Sequence, residues 1–162
     1  MTTFINNNFD VLAKASYAAG MACGVTVGCS GEFLNNALLT VSSGVARAAS
    51  TMGFYNPLTR ECLFSISEHA HVGDEQKEAI QRKIELIKAK MNASHILWSA
   101  GFGFSHGIAL GGAGASPSLL WGAIHGASLF ALGGYAELIP LYALSKPLSL
   151  NFNRDGELES IR

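Results

Sequence analysis

Residues 91–136 read MNASHILWSAGFGFSHGIALGGAGASPSLLWGAIHGASLFALGGYA, and no Asp, Glu, Lys or Arg occurs among them. A soluble domain carries roughly 25% charged residues and rarely leaves so long a run without one. Ser116-Pro117 divides the run. Serine suits a helix N-cap and proline the first helical position, so a turn is expected there. The two pieces, about 95–115 and 117–144, each reach the roughly 20 residues that cross a bilayer. The stretch therefore predicts an integral membrane helical hairpin. Its hydropathy is moderate, because Gly, Ser and His dilute Leu, Ile and Phe.

The flanks agree with that reading. Trp98 precedes the first piece, Trp121 follows the turn, and Tyr135 and Tyr142 stand near the far end. Aromatic rings of this kind collect at membrane–water boundaries. Lys77, Arg82, Lys83, Lys88 and Lys90 precede the hairpin, Lys146 and Arg154 follow it, and the connecting Ala113–Ser118 segment has no basic residue. The positive-inside rule then puts residues 74–91 and the C-terminal tail on the cytoplasmic side.

Glycine spacing gives a further signal. Gly20, Gly24 and Gly28 recur at four-residue steps, as do Gly103, Gly107 and Gly111, while Gly122 and Gly126 form a pair. Ala123, Ala127 and Ala131 make a parallel row. In water each mid-helix glycine costs up to about 1 kcal/mol of helix propensity. Rows of small residues repay that cost by letting membrane helices approach closely. These glycines are the expected helix-packing positions.

Outward from the hairpin, Asp74 to Met91 reads as an amphipathic helix with Asp74 as N-cap. Ile80, Ile84, Ile87 and Met91 form one apolar stripe. Residues 1–14 are a polar start containing Asn6, Asn7 and Asn8. No cleavable leader is expected, since Asp10 precedes Lys14 and the apolar stretch begins late. Residues 15–54 carry only Glu32 and Arg47 as charges and read as two Gly/Ala-rich helices, about 15–31 and 33–53, broken near Gly31, Asn35 and Asn36. Residues 55–73, with Asn56-Pro57 and Gly73, read as a loop, and 145–162 as a polar tail. The fold class is thus all-α: one domain of 162 residues, a membrane hairpin plus one or two further N-terminal helices in a three- or four-helix bundle, and an amphipathic helix. Net charge is -1, so there is no basic footprint for nucleic acid. Three cysteines, Cys23, Cys29 and Cys62, follow no disulfide framework.

His106 and His125 are the candidate cofactor residues. Counted from Ser116 at 1.5 Å per residue, both fall about 14–15 Å from the turn, near mid-bilayer. Two facing imidazoles at one depth could ligate haem or a chlorin, with Gly107 and Gly126 making room for the ring. The alternative is that each histidine hydrogen-bonds a neighbouring helix, with Ser105 and Ser128 at hand. Gly103-Phe104-Ser105-His106-Gly107 matches the G-x-S-x-G nucleophile pattern. His125 and Asp155 follow in the wrong order, however, and the chain is short for that fold, so chance accounts for the match and no catalytic residue is assigned. Cys62, Glu68, His69 and His71 lie close in sequence but lack metal-ligand spacing, and no metal site is expected.

The layout of 95–144, two apolar segments around a short turn, resembles the bilobed hydrophobic domain of chlamydial inclusion membrane proteins. That resemblance implies an effector presenting its termini to partners. The glycine rows are similar to those of the mitochondrial inner-membrane translocase family. From the residues themselves, the expected function is a small structural or assembly subunit, embedded in the lipid bilayer and bound to other membrane subunits or to itself. The alternatives are a haem- or pigment-binding anchor, and a membrane-inserting or pore-forming effector.

Overall fold

The computed structural model describes residues 1–145 and 149–161; Lys146, counted above among the basic flanks, lies outside them. The chain is 85% helical. Helices α1 (Thr2–Asn7), α2 (Phe9–Ser30) and α3 (Phe33–Ser50) lead into a π-helical turn (Thr51–Tyr55), followed by α4 (Asn56–His71), α5 (Asp74–Gly114) and α6 (Leu119–Leu144). A two-stranded antiparallel sheet, β1 (Leu150–Phe152) and β2 (Leu158–Ile161), closes the chain. Helices α2 and α6 are long and apolar enough to cross a membrane.

Several expected boundaries are corrected. Residues 74–91 and 95–115 are not two helices but one, since Asn92-Ala93-Ser94 contains neither proline nor glycine to break the ladder. At 41 residues, α5 is about 61 Å long, roughly twice the thickness of a hydrocarbon core. The loop expected at 55–73 is helix α4. Pro57 follows the π turn without ending the helix, since Ser50, Tyr55 and Asn56 all keep helical dihedrals. Only Val72-Gly73 turns the chain, with Gly73 rather than Asp74 as the N-cap of α5. The cap of α6 is Ser118, whose Oγ accepts from Trp121 N at 3.3 Å, so Ser116-Pro117 lies in the connection. The polar tail contains the small sheet, turned at Gly156, which takes a positive φ of 81° that a side chain would oppose.

Contacts define how the helices run. Ser16 Oγ donates to Ile96 O and Cys29 Sγ approaches Gly111 O, so α2 runs parallel to α5. Ser43 Oγ donates to Gly101 O, while Cys62 packs with Ile84 and Ile87. The long helical path α3–π–α4 is therefore antiparallel to α5. Gly122 approaches Ala113, and Gly133 approaches Ser105 and Thr40, which sets α6 antiparallel to α5 and parallel to α3. Both short connections, Gly31-Glu32 and Ala115–Ser118, consequently lie at one end. Helix α4, the charged first half of α5, α1 and the sheet lie at the other. There Asn6 Nδ2 donates to Glu85 Oε2 at 2.9 Å and Asn92 Nδ2 to Asn6 Oδ1 at 3.0 Å, tying α1 to α5.

Glycines permit the closest of these contacts. A Cβ built on Gly20 would stand 2.0 Å from Ala100 O, one on Gly24 2.2 Å from Phe104 O, and one on Gly28 2.5 Å from Ile108 O. From the other side, Cβ atoms on Gly103, Gly107 and Gly111 would meet Tyr17 O, Met21 O and Val25 O at 2.1, 2.2 and 2.3 Å. The two rows face each other backbone to backbone along α2 and α5.

Candidate functional site: a buried ion pair beside an aromatic-walled cleft

Arg47 on α3 and Glu137 on α6 are 4% and 8% exposed. Arg47 Nε and Nη2 each lie 3.0 Å from Glu137 Oε2. Arg47 Nη1 donates to Ser105 Oγ at 2.8 Å, Gly101 O at 2.9 Å and Ser43 Oγ at 3.1 Å. Trp98 Nε1 donates to Glu137 Oε1 at 2.9 Å. The guanidinium carbon stands 5.3 Å from the centroid of Phe102, itself stacked on Trp98. Three helices thus share one hydrogen-bonded charge pair. Its partners satisfy the charges, which is the condition for burying them.

Local sequence explains the placement. Ser43 and Arg47 are one turn apart on α3, and the arginine stem lies against Gly101, where an added Cβ would make ordinary contact with Arg47 Cγ at 3.4 Å. Glu137 follows the buried face of Gly133 along α6. Next to the pair, Ser50, Thr51, Tyr55, Ser94, His95, Trp98, Glu137 and Leu141 line a cleft of about 270 Å³. The π turn supplies Thr51 and Tyr55; such turns recur at functional sites because the extra residue redirects side chains.

The predicted site residues fall elsewhere. His106 and His125 do not face one another. Tyr17 Oη lies 2.9 Å from His106 Nδ1, and the imidazole stacks on Phe130 with centroids 4.9 Å apart. It lines an apolar groove of about 500 Å³ with Ala109, Ala113, Gly122 and Gly126. His125 lies against Phe33 and Ser116, in a separate cavity with Trp121 and Ile124. Its level on α5 is Gly112, whose added Cβ would come within 3.0 Å of His125 Nε2. From Gly112 to His106 is about 9 Å along the axis. The expectation of two facing imidazoles at one depth is therefore corrected: α5 and α6 meet with an axial offset that counting from the turn cannot register.

Gly126 packs against Ala109 and Ala113 of α5, whereas Ala123, Ala127 and Ala131 remain exposed. Ser105 of the G-x-S-x-G stretch lies inside α5, not on a strand-to-helix turn, and is spent on Arg47. Of the residues weighed as a metal cluster, Cys62 is buried on Ile84 and Ile87, and His71 pairs with Glu157. Among the described residues no group of three or more His, Cys, Asp or Glu is placed to hold a metal ion.

The Arg47–Glu137 pair is not among the residues the sequence singles out as a site. Its signal was present, because Arg47 is the only basic residue in 15–54 and Glu137 interrupts an apolar helix. A lone charge in an apolar helix calls for a partner of opposite sign. Comparison with protein families, curated proteins and solved structures finds no match to this chain.

Proposed function

We propose that the chain is a membrane-resident structural or assembly subunit. In this reading α2, α3, the uncharged half of α5 and α6 form a four-helix bundle in the bilayer, and α4, the charged half of α5, α1 and the sheet stand in the cytoplasm. The observation that carries it is an inverted distribution of polarity. Asn36, Thr40, Arg47, Ser105 and Glu137 are buried between these helices, while Leu110, Leu119, Leu120, Phe130, Leu138 and Ile139 are exposed. Water would favour the opposite arrangement, whereas lipid tolerates apolar exteriors and requires charges to pair inside.

The subunit role rests on the outer face of α6. The glycine rows of α2 and α5 are consumed within the chain. The groove at Ala113, Ala123, Gly126 and Ala127 stays open and offers a close seat for a helix of another subunit or a second copy. Fractionation tests the first part: the protein should stay with membranes through high salt and alkaline washing and leave only in detergent. Recovery in the soluble fraction would instead favour a protein that inserts on demand. Cross-linking in native membranes tests the second part. Ala127→Leu should abolish cross-linked species without lowering the yield of folded protein, and unchanged cross-linking would refute the subunit role.

A further inference from the structure

The cleft beside the Arg47–Glu137 pair has the chemistry of a ligand site. The only charged group among its lining residues is the Glu137 carboxylate. Arg47 directs its donors to Glu137, Ser43, Ser105 and Gly101 O and does not line the cleft. An ionised carboxylate has about four acceptor directions. Trp98 Nε1 accounts for one on Oε1 and the two arginine nitrogens for both on Oε2, which leaves one acceptor direction on Oε1 of this cleft-lining residue.

Around it stand the hydroxyls of Ser50, Tyr55 and Ser94 and the His95 imidazole, none hydrogen-bonded through its side chain to protein among the described residues. The rings of Tyr55, His95 and Trp98 give the walls aromatic character, and Leu141 provides an apolar lip. An anion would meet a carboxylate and no free cation. An ammonium group would meet an acceptor, hydroxyl oxygens and aromatic rings, the combination that recognises amine cations.

We propose that this cleft binds an alkylammonium group, carried either by an aminolipid or by a free amine, with Glu137 accepting its hydrogen bond. The site stands on the side-chain geometry alone; only the lipid source rests on the bilayer reading above.

Trp98 reports occupancy directly, because its indole N–H shares Glu137 and the chain has only 2 tryptophans. In a Trp121→Phe background, the detergent-solubilised protein is titrated at neutral pH with dodecylammonium, dodecanol and ethanolammonium, and Trp98 emission is followed. A saturable shift with dodecylammonium, at least tenfold tighter than with dodecanol, is expected. Equal affinity for dodecanol, or no saturable shift, overturns the proposal. Dodecylammonium far tighter than ethanolammonium assigns the lipid source; equal affinity for the two assigns the free amine, and both outcomes support the site.

Glu137→Gln should weaken dodecylammonium at least tenfold, to the dodecanol level, and undiminished binding overturns the proposal. Because that variant disturbs the ion pair, Ser94→Leu gives a second test that leaves Arg47, Glu137 and Trp98 in place. It fills the cleft and should abolish the shift, and its failure to do so also overturns the site. Should the protein prove extractable without detergent, the bilayer reading fails while the same titration still decides the site.

Discussion

Arg47 and Glu137, 90 positions apart in the chain, are joined by a guanidinium–carboxylate contact of 3.0 Å that is almost closed to solvent. This pair locks α3 to α6, and through Gly101 O, Ser105 and Trp98 it engages one face of α5.

Removing one member should therefore cost more than removing both. Arg47→Met leaves a buried carboxylate without its cation and is expected to destabilise the protein by about 3–5 kcal/mol. The double variant Arg47→Met/Glu137→Leu should recover most of that loss, since apolar replacements of a buried pair are often neutral. Reversible unfolding in mixed micelles measures both, and a double variant no better than the single would count against the pair as the cause.

Helix approach predicts a contrast between two glycines. A Cβ on Gly107 would meet Met21 O at 2.2 Å and Gly24 Cα at 2.9 Å, whereas one on Gly134 meets nothing within 4 Å. Gly107→Leu should separate α2 from α5 and cost several kcal/mol, of order the 1–3 typical of overpacking or more. Gly134→Ala should be neutral or stabilising by up to about 1 kcal/mol. Thermal unfolding of the two variants side by side checks the ordering.

The sheet should dock in a pH-dependent way. The His71 imidazole is raised above its usual 6.5, first by its contact with Ser67 O at 2.7 Å and then by Glu157, whose Oε1 lies 2.6 Å from Nε2. Glu157 is lowered below 4.5, first by its hydrogen bond from Asn153 and then by His71. A raised histidine contributes fully below about 6.5 and loses its contribution as pH rises through the folded value. A lowered carboxylate contributes above about 4.5 and loses its contribution as pH falls through the folded value. Docking of β1–β2 on α4 should thus be firmest between those limits and loosen toward pH 8. Amide exchange of residues 150–161 at pH 5.5 and 8 measures this, and His71→Gln should flatten the difference.

Topology provides a fourth test, of the proposed bilayer arrangement. Gly73→Cys and Ser118→Cys, each in a background with Cys23, Cys29 and Cys62 replaced by alanine, should react from opposite sides of sealed vesicles with a membrane-impermeant maleimide. Reaction of both from the same side would rule the arrangement out.

Much of the helical skeleton was legible because it depends on neighbours in the chain. The stripe from Ile80 to Met91, the uncharged run after it and the turn at Ser116-Pro117 all reflect local periodicity or local breakers. Where the reading failed, local signals were ambiguous. Asn56-Pro57 marks a turn in many contexts, but here the backbone stays helical through Tyr55 and Asn56 and runs on from the π turn into α4. A change from charged to apolar residues near Met91 suggested two helices, although the ladder needs no change of direction when its surroundings change.

The candidate site was hidden for another reason. Arg47 and Glu137 were visible as isolated charges, but their meeting depends on α3 running parallel to α6 with one particular axial offset. A second offset, between α5 and α6, separates His106 from His125, which counting residues from the turn brings level. By itself the sequence determined the helical class, the apolar helix that follows the Ser116-Pro117 turn, and the spacing of the glycine rows. Only the tertiary structure decided that those rows face each other across α2 and α5, and which polar side chains meet. Backbone hydrogen bonding and hydrophobic period act within a few residues, whereas register between helices is set by the summed close contacts of surfaces far apart in the chain.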